Sequence, residues 1–253
     1  MQMKLVISAL SKLIVGLAAI AALLFAPAGT FAFAGAWRLI ALLFIPMIIT
    51  GAVFWIWAPE TLSRRLRSKE ERTRQKGVVV LSGTLFIICF VTAGLDFRFG
   101  WSDMPVWALW TSGIIFLLSY GMYAEVMREN EWVSRSIEVV ENQKVVSTGL
   151  YGIVRHPMYT ATIGMFLAMP VVMGSWWAFL VMLPYIPVIM VRIKDEEALL
   201  TEQLAGYPEY MLKVRWRLIN ITLSVSSYYT IRSIVSLRTL QKAKTTVPEY
   251  RIR

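Results

Sequence analysis

The apolar stretch MYTATIGMFLAMPVVMGSWWAFLVMLPYIPVIMV, Met158–Val191, decides the fold. As one continuous helix it would measure about 51 Å at 1.5 Å per residue, too long for a single crossing of a hydrocarbon core of about 30 Å. As two helices, each arm has only about 16 residues, short for a full crossing. Gly174 and Ser175 supply a turn at the centre, flanked by Trp176 and Trp177, while Pro170, Pro184 and Pro187 bend the arms. The pattern predicts a short helical hairpin in a membrane, with both ends returning to one face.

Four longer apolar runs precede it. The first covers Leu5–Pro27, interrupted only by Lys12; the second runs from Ala34 to Ala58, with Trp55 and Trp57 as interfacial anchors. A secretory signal peptide is the rival reading of the first run, with Lys4 as its basic region and Ala32-Phe33-Ala34 as a small-x-small cleavage site. The run is long for such a peptide and a second span follows at once, which favours a retained span. A third run covers Gly77–Leu95, and after a short loop, Asp96–Met104, a fourth covers Pro105–Met127.

Between the second and third runs lies Pro59–Lys76, carrying Arg64, Arg65, Arg67, Lys69, Arg72, Arg74 and Lys76 against Glu60, Glu70 and Glu71. Basic residues beside apolar spans mark the cytoplasmic side. The loop is read as a topogenic element, and it places the segment Arg128–Pro157 and both termini in the cytoplasm. The charged stretch Arg192–Asn220 is helical in pattern and falls on the same face, with Gly206 ending one helix and Pro208 starting the next. The remainder, Ile221–Arg253, is rich in Ser, Thr and basic residues without a clear period, the composition of a disordered or membrane-surface tail. No internal repeat is visible.

Composition agrees. The 253 residues are 57% hydrophobic and 17% charged, with a mean hydropathy of +0.58, and the charges cluster between apolar runs. That distribution belongs to a membrane protein. The net charge of +10 sits in short connections beside spans, which argues against nucleic acid as a partner. One cysteine, Cys89, and one histidine, His156, exclude an intrachain disulfide and an ordinary Zn or Fe–S centre. The expected fold class is therefore all-α: a polytopic membrane protein of about six segments, with cytoplasmic helices forming a pocket. Residues 1–127 form a four-span region, 128–220 a catalytic region, and 221–253 a tail.

Two polar segments bracket the hairpin. The first is VVSTGLYGIVRHPMY, Val145–Tyr159. The second is RIKDEE, Arg192–Glu197, followed by GYPEY, Gly206–Tyr210, and VRWRLIN, Val214–Asn220. Arg155 and His156 precede Pro157, which suits the first turn of a helix, so His156 sits at the membrane end of the fifth segment with Tyr151 and Tyr159 close by. Arg192 and Glu196 are four apart and share a helix face. Taken singly, these are a surface histidine, two interfacial tyrosines and an exposed ion pair worth at most about 0.5 kcal/mol. The hairpin brings both segments to one membrane face, and polar groups gathered beside an apolar crevice are the usual form of a ligand site.

The combination G-x-Y-x-x-x-R-H-P-x-Y, a short hairpin, R-x-x-x-E-E, G-Y-x-x-Y and R-x-R-L-I resembles the isoprenylcysteine carboxyl methyltransferase and phospholipid methyltransferase group over Ile137–Ile219. Asn220 departs from that group, standing where a proline follows R-L-I. The resemblance implies an S-adenosylmethionine pocket lined by Gln143, Lys144, Val145, Val146, Tyr151, His156, Pro157, Met158, Tyr159 and Glu196, with Arg192 in the place of the group's substrate-positioning arginine. It also implies a lipophilic acceptor, bearing a carboxylate, amine or thiol, reached from membrane lipids. No G-x-G-x-x-G follows a strand pattern, and there is no phosphate loop and no G-x-S-x-G elbow. Two alternatives stay open: an NADPH-dependent membrane reductase of the sterol-reductase kind, and a membrane transport or binding protein without catalysis. Against the second, Lys12, Arg38 and Glu125 are the charges within or near spans, and they form no relay.

Overall fold

The computed structural model describes residues 2–57, 73–130, 132, 139 and 142–218. Most of the basic loop, together with Ile219, Asn220 and the tail, lies outside these residues, as do the positions 131, 133–138, 140 and 141.

Eight α-helices run through the described residues: α1 (Gln2–Ala28), α2 (Ala34–Trp57), α3 (Thr73–Phe99), α4 (Val106–Glu129), α5 (Pro157–Met173), α6 (Trp176–Met182), α7 (Tyr185–Gln203) and α8 (Tyr207–Lys213). A single 3-10 turn at Gly149–Gly152 precedes α5. No strand occurs among the described residues. The stretches Ala9–Ala28, Ala34–Trp57, Gln75–Phe99, Val106–Glu129 and Trp176–Gln203 are long and apolar enough to cross a membrane, and α5 is a shorter apolar helix. The protein is a multi-pass, all-helical membrane protein, with five such stretches and the one shorter apolar helix among the described residues. Its outward faces carry Ile56, Trp107, Trp110 and Leu118, all strongly exposed. In water such a surface would aggregate; in lipid it is the contact the helices require, since their backbone groups are satisfied internally.

Two boundaries differ from the sequence expectation. Helix α3 starts at Thr73 and ends at Phe99, so Asp96 belongs to the helix and the connecting loop is shorter. The second arm of the hairpin does not stop at Val191. Helix α7 continues through the charged residues to Gln203, because Ile193, Glu197 and Leu199 keep one face buried where the hydrophobic run has ended. The break falls earlier, at Leu183 and Pro184 between α6 and α7. Gly206 and Pro208 do punctuate the chain as expected: Gly206, at φ 84°, precedes α8, and Pro208 sits in its first turn.

The core draws on all seven helices from α1 to α7. Leu24, Leu39, Cys89, Phe116, Val172, Met182 and Ile193 are fully enclosed there. Phe166 of α5 meets Phe86 of α3 edge-on at 4.7 Å and Tyr185 of α7 at 5.2 Å, an aromatic bridge across three helices. Helix α2 approaches the end of α5 so closely that a Cβ at Gly35 would overlap the Met173 carbonyl.

The hairpin turn is fixed at the end of the bundle away from the polar segments. Gly174 ends α5 at φ 89°, a left-handed position that glycine occupies without steric cost. Ser175 caps α6, its hydroxyl accepting from Ala178 N at 3.0 Å and donating to the buried Asp96 carboxylate. Asp96 also accepts from the Ser102 backbone N–H and hydroxyl, each at 2.7 Å, and the Ser102 hydroxyl accepts from Trp176 N. This pinned turn sets the depth at which α5 and α7 return to the opposite end.

Candidate functional site

At that opposite end a pocket opens between the 143–159 segment, α7 and α8. The chain reaches it through a turn tied to α4, where Glu129 accepts from Thr148 Oγ1 at 2.8 Å and from Leu150 N at 3.2 Å. His156 then takes the N-cap position of α5, with Pro157 at the first turn, where its missing N–H costs nothing.

The pocket is lined by Gln143, Lys144, Val145, Val146, Tyr151, His156, Met158, Tyr159, Arg192 and Glu196, all named from the sequence. Pro157 is the exception: it is fully buried in the first turn of α5 and is not part of the lining. Asn130, Trp132, Arg155, Leu200, Leu204, Tyr207 and Tyr210 complete the wall, and none of these seven was in the expected set.

A linked trio stands where the pocket meets the membrane helices. The Tyr159 hydroxyl donates to Glu196 Oε2 at 2.5 Å and accepts from Arg192 Nε at 3.0 Å. Arg192 also donates through Nη1 to Gln75 Oε1 at 3.1 Å, and Gln75 Nε2 donates to Asp195 Oδ2 at 2.8 Å. Gln75 is 1% exposed and lies on α3. Sequence reading assigned its neighbourhood to topology alone, yet this side chain reaches the site arginine.

A second set of charges links Arg155 and His156 of the wall to the buried Glu197. Glu197 is buried and accepts from Arg155 Nε at 2.8 Å and Arg217 Nε at 2.7 Å, and His156 Nε2 stands 3.3 Å from its Oε1. Arg155 Nη1 donates to the carbonyls of Val214 and Arg215, each at 2.9 Å, while the backbone N–H groups of Arg155 and His156 donate to Trp216 and Arg217. The segment after α8 is thereby laced to the segment before α5. Adjacent residues on a helix point about 100° apart, so the Glu196-Glu197 doublet divides its work: the first faces the pocket, the second holds its frame.

Burial pushes the phenols of Tyr151 and Tyr210 well above the usual tyrosine range. Both therefore stay neutral: Tyr210 donates to the Tyr151 carbonyl at 2.7 Å, and the Tyr151 hydroxyl pairs with Asn130. Tyr207 differs, since its buried hydroxyl has no hydrogen-bond partner among the described residues, and such an orphan costs about 1–3 kcal/mol. Among the described residues no group of three or more His, Cys, Asp or Glu side chains could hold a metal ion.

The lining pairs one carboxylate and two guanidinium groups with tyrosine rings and aliphatic side chains. It can bind a cation or an amphoteric molecule with a flat ring. Residues 107–206 match the family model described as phospholipid methyltransferase. The match takes in α4, the hairpin and most of the pocket wall, but neither Gln75 nor α8. No curated protein matches the sequence.

Proposed function

Because residues 107–206 match the phospholipid methyltransferase family model, we propose that the chain is an S-adenosylmethionine-dependent methyltransferase acting on a lipophilic acceptor at the cytoplasmic surface of the membrane. The observation that carries this reading is the trio Arg192, Tyr159 and Glu196, hydrogen-bonded in series at the junction of the pocket with the membrane helices.

The lining suits the cofactor. Glu196 offers a carboxylate to a positively charged ligand, and the tyrosine faces offer their π-systems to a sulfonium or a flat base. Tyr207, whose buried hydroxyl is unpaired among the described residues, belongs to the same wall. When bound, S-adenosylmethionine supplies an electrophilic methyl group.

The chain's own residues do the rest. Val145, Leu200 and Leu204 supply the apolar part of the wall. Arg192, held by Tyr159 and Gln75, offers its guanidinium to an anionic or oxygen-bearing group of the acceptor. Displacement at the methyl carbon needs no protein nucleophile, so alignment is the main contribution, and proximity alone supplies about 7–11 kcal/mol in favourable cases. A soluble cofactor arrives from the aqueous side and a lipophilic acceptor from the bilayer, which accounts for a site at the end of a short hairpin. The basic character of the Pro59–Lys76 stretch supports the cytoplasmic assignment.

Calorimetry on the detergent-purified chain tests this function. S-adenosylhomocysteine is expected to bind, and His156→Ala and Tyr159→Ala to weaken binding by tenfold or more. Binding of NADPH with no response to S-adenosylhomocysteine would instead make the protein a reductase.

A further inference from the structure

Tyr207 opens α8 and lines the pocket together with Tyr210 and His156. Its ring packs into a small apolar cluster with Leu204, Met211 and Val214 and is 4% exposed. The three other pocket tyrosines all use their hydroxyls: Tyr151 with Asn130, Tyr159 with Glu196, Tyr210 with the Tyr151 carbonyl. The Tyr207 hydroxyl is the one buried side-chain nitrogen or oxygen among the described residues without a partner. Burial, and then the Glu197 and Glu196 carboxylates, push its phenol far above the usual range, so the oxygen keeps its proton and is a donor in want of an acceptor.

The placement is not loose. Gly206 turns the chain at φ 84° immediately before it, Pro208 stiffens the first turn after it, and Tyr207 N donates to the Leu204 carbonyl at 3.2 Å. A ring so fixed could carry phenylalanine and pack equally well, without the penalty of a buried unpaired hydroxyl. The hydroxyl makes physical sense if a ligand completes it.

We propose that the Tyr207 hydroxyl donates a hydrogen bond to the nucleoside cofactor and is a binding residue of the pocket. The inference rests on the reading of that pocket as an S-adenosylmethionine site. Tyr207 lies outside the matched region 107–206, and the resemblance carries it in the G-Y-x-x-Y motif without giving it a role.

The probe is S-adenosylhomocysteine, titrated calorimetrically into the full chain in detergent, wild type against Tyr207→Phe. Thermal unfolding of both is followed without ligand. The inference expects binding at least tenfold weaker in Tyr207→Phe and an unfolding midpoint unchanged or raised, because an orphan has been removed. Opposite signs in the two measurements are what a ligand-directed hydroxyl produces and a structural one does not. Equal affinity of the two proteins, or a clearly lowered midpoint in the variant, would overturn it. Wild type failing to bind would bring down the cofactor reading and this inference together, and is recognised because the failure precedes any substitution.

Discussion

Gln75 accepts a hydrogen bond from Arg192 at 3.1 Å across 117 positions of sequence, so a membrane helix outside the family-matched region holds the arginine of the site. Gln75→Leu removes this acceptor and also the donor to Asp195. A hydrogen bond to a charged group contributes about 1.5–3 kcal/mol, which corresponds to roughly ten- to 150-fold in rate if it is felt in the transition state. Methyl transfer is expected to fall by that factor while S-adenosylhomocysteine affinity changes by less than about twofold. A parallel loss of both would mean that Gln75 supports the fold and not the arginine.

Glu197 is expected to matter for stability more than any other single charge. Its side chain is 4% exposed and that of Arg155 3%. Removing one partner of a buried ion cluster leaves an uncompensated charge, at a cost of about 3–5 kcal/mol. Arg217 is more exposed, at 18%, so Arg217→Gln should cost clearly less than Glu197→Gln. Denaturation in mixed micelles gives the comparison; the reverse ranking would show that the cluster does not hold the 214–218 segment to α5.

The spans and the hairpin were legible because hydrophobic run length and the Gly174-Ser175 turn speak directly to membrane geometry. The pocket motifs were legible in combination, since Tyr159, Arg192 and Glu196 lie beside the hairpin that brings them together. Three features were not. Hydropathy marks where lipid ends, so the membrane arm stops at Val191 and the charged stretch after it reads as a separate helical segment, whereas one helix runs through both on Ile193, Glu197 and Leu199. Glu197 was overshadowed by Glu196, although the 100° step between neighbours implies that two adjacent carboxylates face different partners. Gln75 left no local signal at all: one amide in a basic stretch acquires its role only through the packing of α3 against α7.

Helix packing gives a contrast within α2. A methyl at Gly35 would overlap the Met173 carbonyl, whereas nothing lies within 4 Å of a Cβ at Gly51. Gly35→Ala is expected to destabilise by about 1–3 kcal/mol through overpacking. Gly51→Ala should stabilise by about 0.5–1 kcal/mol through backbone entropy. Equal thermal midpoints for the two variants would contradict the close approach of α2 to α5.

Orientation is open to chemical labelling. Cys89 is buried and its removal leaves a cysteine-free chain. On that background Asp103→Cys, exposed in the loop between α3 and α4, is expected to react with an impermeant thiol reagent added to intact cells. Glu202→Cys, exposed on α7 at the pocket end, should react only after permeabilisation. The opposite pattern would place the pocket outside the cytoplasm.

Arg192 and Glu196 separate binding from chemistry. Both touch Tyr159, but on different sides of its hydroxyl: Glu196 accepts from it and Arg192 donates to it. Glu196→Gln keeps an acceptor for Tyr159 and loses the charge offered to a cationic cofactor, so affinity should fall with the hydrogen-bonded frame intact. Glu196→Ala loses both and should bind more weakly still. At Arg192 the planar fork makes two directed bonds at once, through Nε to Tyr159 and through Nη1 to Gln75. The single ammonium of lysine cannot reproduce that spread. Arg192→Lys is therefore expected to bind S-adenosylhomocysteine nearly normally and to lose about 1.5–3 kcal/mol of transition-state stabilisation, roughly ten- to 150-fold in kcat/KM. The acceptor for this assay comes from profiling membranes with and without the protein after feeding methyl-labelled methionine. Near-normal turnover by Arg192→Lys would remove the arginine from the chemistry, and silence of all three substitutions would reduce the trio to an ordinary interfacial cluster.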